Sequence, residues 1–101
     1  MLDSYVFISP VTFWEIGLKA GGKGFDFDLP GDWDIVLPAH ASKYQVSPLP
    51  ISPLHCRRIQ ELPFHHKDPF DRMLIAQALV ENLTVIGCDD AFDAYGVTRL
   101  W

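Results

Sequence analysis

The sequence predicts an α/β fold with a mostly parallel sheet, because short apolar runs alternate with helical segments along the chain. The apolar runs contain many β-branched and aromatic residues, which is typical of strands, and they lie at residues 5–8, 44–49, 83–87 and 97–100. Between them, apolar spacing and capping residues predict helices at 11–20, 32–42, 52–62 and 68–82. A short turn or helix is expected at 89–95, where Gly96 ends it.

The composition indicates one small domain, which we place at residues 1–101. Hydrophobic residues make up 49% of the chain and aromatic residues 13%, which excludes disorder and permits a real core. No apolar run reaches the ~18 residues of a membrane span, and the N-terminus lacks the pattern of a secretory signal. Cys56 and Cys88 have no CxxC spacing, so a disulfide framework or zinc site is not expected and a reducing cytosol fits.

The net charge of −5 argues against a broad basic surface that binds nucleic acid unaided. It leaves nucleic acid open as a substrate, because a metal enzyme acting on phosphodiesters gathers carboxylates that divalent ions offset. Composition alone favours the plainer interpretation, a soluble acidic protein.

Two carboxylates lie at the start of the helix at 68–82. Asp68 is a good N-cap, Pro69 suits the first helical position, and Asp71 follows three residues after the cap. The apolar residues Leu74, Ile75, Ala78 and Leu79 recur at helical spacing and mark the buried face of this helix. The acids can be plain capping, or they can belong to an acidic cluster that holds a metal ion.

Topology favours convergence of acids that are far apart in sequence. Ligands of such sheets bind at the carboxyl ends of the strands. Glu15 follows the first predicted strand, Asp89 and Asp90 follow the strand at 83–87, and Asp68 and Asp71 start the helix before it. We therefore expect these acids at one edge of the sheet.

Several segments resemble the PIN-domain family, and in particular the VapC-like toxins of bacterial toxin–antitoxin pairs. The similar stretches are VFISPVTFWEIGLKA at 6–20, LPG at 29–31, LPFHHKDPFDRMLIAQA at 62–78, LTVIGCDDAF at 83–92 and YGVTRLW at 95–101. The resemblance implies a PIN-like three-layer fold and a cytoplasmic endoribonuclease that uses Mg²⁺ or Mn²⁺. It also implies a cognate antitoxin, an RNA substrate and a homodimer.

The family's metal-binding acids carry over to Glu15, Asp71 and Asp89, with Asp68 as a further ligand or a cap. Hard divalent cations prefer such carboxylate oxygens. Lys19 and Arg72 are expected to contact the RNA backbone or the acids. For His65 and His66 we favour loop packing or backbone hydrogen bonds over a metal or general-base role.

Two departures from the family pattern affect these expectations. Gly87 stands where the family has a threonine before its fourth acid. The family's first strand, which carries the first acid, is expected to be missing, because Asp3 lies too close to Glu15 for a helix and a second strand between them. Without that central strand the sheet should divide into two strand pairs. The alternative function is an inactive remnant that only binds the antitoxin.

Overall fold

A computed structural model describes residues 5–22, 29–87 and 89–100. Asp3 and Cys88, which the sequence analysis singled out, lie outside these residues. The chain divides into two compact units, one up to Pro50 and one from Ile51. The expectation of a single domain over the whole chain stays a prediction.

The first unit contains a parallel pair of short strands and two helices. Its elements are β1 (Val6–Ile8), α1 (Pro10–Ala20), α2 (Trp33–Lys43) and β2 (Val46–Pro48). Val6 is the partner of Val46, and Ile8 is the partner of Pro48. The strand predicted at 44–49 is shorter in the structure, because Tyr44 caps α2 and Gln45 has a φ of 62°, which no strand residue adopts.

Helix α1 begins as its sequence predicts. The Oγ of Ser9 accepts a hydrogen bond from the N–H of Val11 at 3.2 Å, and Pro10 takes the first helical position, where its missing N–H costs nothing. Val11 is only 1% exposed, so this end of the helix is anchored by apolar burial as well as by the cap. Helix α2 contains Pro38, which has no N–H for the helical hydrogen bonds, and none of the residues of α2 is buried.

The second unit contains two helices, a second parallel strand pair and a 3₁₀ helix. Its elements are α3 (Pro53–Glu61), α4 (Pro69–Glu81), β3 (Val85–Ile86), the 3₁₀ helix (Asp90–Tyr95) and β4 (Arg99–Leu100). Strand β3 pairs with β4 in parallel register. The core of this unit is formed by Leu62, Ile75, Ala76, Ala78, Phe92, Tyr95 and Val97.

Helix α4 provides the largest share of that core. Its predicted apolar face is confirmed at Ile75 and Ala78, which are buried, while Leu74 and Leu79 are partly buried against the core. The helix ends at Asn82, whose φ of 55° gives the left-handed cap that asparagine tolerates. The elements of this unit thus follow local sequence signals closely.

The predicted α/β class with parallel strands is confirmed. Within the described ranges, the strands form two separate parallel pairs, β1 with β2 and β3 with β4. This is the division into two pairs that the sequence analysis expected. In the same ranges no helix has the length and apolar character needed to cross a membrane.

Two glycines of the second unit provide a matched test of backbone conformation. Gly96 has a φ of 73°, so Gly96→Ala should lower the free energy of unfolding by about 1–2 kcal/mol, the cost of a left-handed residue with a Cβ. A Cβ at Gly87 would meet no atom within 4 Å. Gly87→Ala should therefore raise the free energy of unfolding by about 0.4–1 kcal/mol, because alanine reduces the conformational entropy of the unfolded chain. Urea unfolding of both variants measures this difference, and equal shifts of one sign would contradict it.

Candidate metal centre

Three potential metal ligands lie together in the second unit. His66, Asp71 and Asp89 each offer one ligand atom, and these atoms lie within 4.8 Å of one another. His66 and Asp71 are partly buried, whereas Asp89 is exposed. The group is therefore open to solvent on one side, as a site that exchanges an ion and a substrate must be.

The starts of two helices position the carboxylates of this group. Asp71 lies in the first turn of α4, which Asp68 caps by accepting hydrogen bonds from the N–H groups of Phe70 at 2.8 Å and Asp71 at 3.2 Å. Asp89 caps the 3₁₀ helix through its Oδ1, which accepts from the N–H of Ala91 at 2.9 Å. Acidic residues are favoured at both places because the first N–H groups of a helix lack partners.

His66 contacts Asp71 directly. Its Nε2 lies 2.7 Å from Oδ2 of Asp71, and since an ionised carboxylate only accepts hydrogen bonds, Nε2 carries the proton. This hydrogen bond raises the pKa of His66 above its ordinary value of 6.5, burial opposes the rise, and the charges of Asp71, Asp89 and Asp68 add to it. The same carboxylates therefore favour positive charge at this place, whether on an imidazole or on a metal ion.

Arg72 holds the loop that carries His66. Its side chain is buried, with a relative exposure of 8%, and its Nη1 donates to the carbonyl of Pro63 at 3.0 Å while Nη2 donates to that of Ile59 at 3.3 Å. Nη1 also lies 3.4 Å from the carbonyl of His66, and the guanidinium carbon lies 4.7 Å from the centre of the Phe64 ring. The expectation that Arg72 contacts RNA or the acids is thus corrected, because backbone carbonyls take its donors.

The other predicted site residues lie in separate settings. Glu15 lies on α1 in the first unit, where its Oε2 is 3.6 Å from Nζ of Lys19, one helical turn further on. Lys19 thus contacts an acid, one of its two expected roles. Asp68 serves as the N-cap of α4, and Asp90 is the exposed first residue of the 3₁₀ helix. Of the three acids carried over from the family, the second unit brings together Asp71 and Asp89.

His66 belongs to the candidate site, whereas the sequence favoured only loop packing or backbone hydrogen bonds for it. The structure confirms loop packing for His65, whose ring meets that of Tyr95 edge-on at 5.2 Å between centroids. His66 instead turns its ring to Asp71 and joins the acidic group. The signal in the sequence was that His66 lies five residues before Asp71, shortly before the start of α4. Cys56, on α3, is exposed.

The donor set fits a hard divalent cation. Carboxylate oxygens of Asp71 and Asp89 suit Mg²⁺ and Mn²⁺, which fill their remaining positions with water. Imidazole nitrogen is a poor ligand for Mg²⁺, and the Nε2 of His66 is already engaged with Asp71. We therefore assign the two carboxylates as the residues that would hold the ion, with His66 as the partner that orients Asp71.

The pKa of His66 provides a direct test of this geometry in metal-free protein. An NMR titration should place it above 6.5, and Asp71→Asn should lower it, because the main cause of the shift is the hydrogen bond to Asp71. The pair then stabilises the fold at acidic pH and loses this contribution as the pH rises through the raised pKa. Asp90→Asn is the control and should leave the pKa unchanged. An unaltered His66 titration in Asp71→Asn would refute the contact.

Arg72 should contribute to stability far more than an exposed arginine. Arg72→Met should lower the free energy of unfolding by roughly 2–3 kcal/mol, because the carbonyl of Pro63 in the loop and that of Ile59 in α3 lose their charged donor. Arg57→Met, at an exposed position of α3, should change it by less than about 0.5 kcal/mol. Chemical denaturation measures both, and equal losses would contradict the assigned role of Arg72.

Comparison with known proteins supports the resemblance stated from the sequence. A search of curated proteins found no match. A family model described as PIN domain matches residues 1–97, nearly the whole chain, a range that contains Glu15, Asp71 and Asp89. PIN domains are generally nucleases that depend on divalent metal ions, so a nuclease-type function is indicated. On the extent of this match, the chain belongs to the PIN-domain family.

Proposed function

We propose that this protein is a Mg²⁺- or Mn²⁺-dependent endoribonuclease, the toxin of a VapC-like toxin–antitoxin pair that acts in the cytoplasm. The observation that carries the proposal is the convergence of Asp71 and Asp89 with His66 in a member of the PIN-domain family. Glu15 is proposed as the third acid of the set, by its match to the family pattern. A cognate antitoxin would restrain the activity, and a homodimer is proposed on the same resemblance.

The chain's own residues would each have a defined part in the reaction. Asp71 and Asp89 would hold the cation through carboxylate oxygens, and His66 would keep the Asp71 carboxylate in place by donating its Nε2 proton to Oδ2. When bound, a divalent cation stabilises the negative charge that develops on a phosphodiester and makes water a better nucleophile. The open side of the group at Asp89 gives RNA access to it.

Lys19 is the cation that we propose for contact with the RNA backbone. Its side chain is 50% exposed, and an ammonium group can approach a phosphate as a point charge. The exposed ion pair between Lys19 and Glu15 is weak, because in solvent such pairs contribute only about 0–1 kcal/mol. Lys19 can therefore readily leave Glu15 for another anionic partner. Arg72, which is buried among carbonyls, is no longer part of this proposal.

The second candidate is a catalytically inactive protein that only binds an antitoxin. Large apolar side chains favour it, because Ile35, Leu54 and Phe64 are 67%, 61% and 71% exposed in the isolated chain. A protein partner that covered these side chains would remove their apolar surface from water, which is favourable. The two candidates differ in one respect, namely whether the chain cleaves RNA when the metal is present.

An RNA cleavage assay separates the two candidates. With Mg²⁺, the purified chain should cut single-stranded RNA, and chelation with EDTA should abolish the cut. Asp71→Asn should reduce the rate by at least about 100-fold, because one preorganised electrostatic group is typically worth about 10²–10³ in rate. Glu15→Gln should also reduce it strongly, whereas Asp34→Asn, at an exposed position of α2, should leave it unchanged.

Equal cleavage with and without Mg²⁺, or equal cleavage by the chain and Asp71→Asn, would refute the metal-dependent ribonuclease. If cleavage is absent but the chain still forms a stable complex with its antitoxin, the second candidate is correct.

A further inference from the structure

The phenolic oxygen of Tyr95 is a point where three hydrogen bonds meet. It accepts from the backbone N–H of His65 at 2.9 Å, from that of His66 at 2.8 Å and from Nη1 of Arg72 at 3.2 Å. Tyr95 is 9% exposed; its hydrogen bond with Arg72 is buried, and those with the two amides are partly buried. A phenol oxygen usually accepts one or two hydrogen bonds, which makes the convergence of three donors unusual.

The donors and the acceptor belong to the segments that carry the candidate metal centre. His66 is itself a member of the group, Arg72 follows Asp71 directly in the first turn of α4, and Tyr95 ends the 3₁₀ helix that Asp89 caps. One oxygen atom therefore connects the loop, α4 and the 3₁₀ helix. Each of these segments contributes one residue to the group of three.

The two amides restrain the loop more than either would alone. Adjacent N–H groups that both point at one oxygen fix the backbone direction at His65 and His66, and this direction determines where the imidazole of His66 can reach. Removal of the oxygen leaves the amides of both histidines and one guanidinium nitrogen without this acceptor, while the apolar ring stays in the core.

We propose that Tyr95 is a positioning residue of the metal centre. Its phenolic oxygen holds His66 against Asp71, and it holds the loop and α4 beside the 3₁₀ helix that Asp89 caps. Tyr95 contacts neither substrate nor metal and acts through the backbone of the loop and through Arg72. The metal part of this inference rests on the proposed function, whereas the placement of His66 can be tested without any metal.

The first test is Mn²⁺ binding to the full chain, measured by electron paramagnetic resonance of the free ion. Tyr95→Phe should weaken the affinity roughly 10–100-fold, the usual cost of losing a group that orients metal ligands. Tyr44→Phe is the matched control, because Tyr44 is 70% exposed and lies in the first unit, and it should bind as the unsubstituted chain does. Unfolding midpoints show that each variant is folded at the temperature of measurement.

Asp71→Asn separates failure of this inference from failure of the proposed function. If Asp71→Asn loses Mn²⁺ and Tyr95→Phe binds it with unchanged affinity, the positioning role of Tyr95 is wrong and the metal centre stands. If Asp71→Asn binds Mn²⁺ as the unsubstituted chain does, the metal centre is wrong, and the metal-free measurement decides the role of Tyr95.

The metal-free measurement detects the NMR resonance of the hydrogen-bonded Nε2 proton of His66. It should be present in the unsubstituted chain and in Tyr44→Phe, and it should be lost through exchange with water in Tyr95→Phe. Persistence of the resonance in folded Tyr95→Phe would overturn the proposal.

A further measurement needs no substitution and therefore stands even if Tyr95→Phe fails to fold. The amides of His65 and His66 should exchange with solvent more slowly than that of Lys67 in the same loop, because the phenolic oxygen occupies both. Exchange of all three amides at the same rate would overturn the proposal.

Discussion

The second unit depends on one buried cation. The loop before α4 runs past the end of α3, and its carbonyl groups need donors, since an unpaired buried backbone group costs about as much as a lost hydrogen bond. Arg72 supplies such donors from the first turn of α4, to the carbonyl of Pro63 in the loop and to that of Ile59 near the end of α3. Because the guanidinium always carries charge and offers its donors in a rigid fork, one side chain satisfies several carbonyls at once. The loop thereby acquires a defined path.

The electrostatics of the candidate metal centre arise from helix capping. Asp68 and Asp89 satisfy the N–H groups at the starts of two helices, and Asp71 lies in the first turn of one of them. Each acid is favourable for local reasons, yet together they act on His66, whose pKa is raised first by its hydrogen bond to Asp71 and then by the charges of Asp71, Asp89 and Asp68. Capping alone would explain two of the acids. The convergence of Asp89 with Asp71 and His66 is what makes this group a candidate site for a cation.

Much of the local structure could be predicted from the sequence. The caps at Ser9, Ser52 and Asp68 lie at the predicted helix starts, and the approach of Asp71 to Asp89 follows from the rule that ligands gather at the carboxyl ends of parallel strands. The role of His66 could not be predicted in this way, because a histidine in a loop has no periodic pattern to show where its ring points. Arg72 was misassigned for a related reason, since a charged residue in a polar segment is usually exposed.

By itself, the sequence determined the α/β class, the starts of the helices and membership of the PIN-domain family, and it named Asp71 and Asp89 among the candidate acids. These properties depend on neighbouring residues or on patterns repeated along the chain, so they can be read without coordinates. Only the tertiary structure decided that Arg72 is buried, that His66 faces Asp71 and that the oxygen of Tyr95 connects three segments. Those contacts depend on the path of the loop and on residues as far apart as Arg72 and Tyr95, and packing alone determines which of them meet.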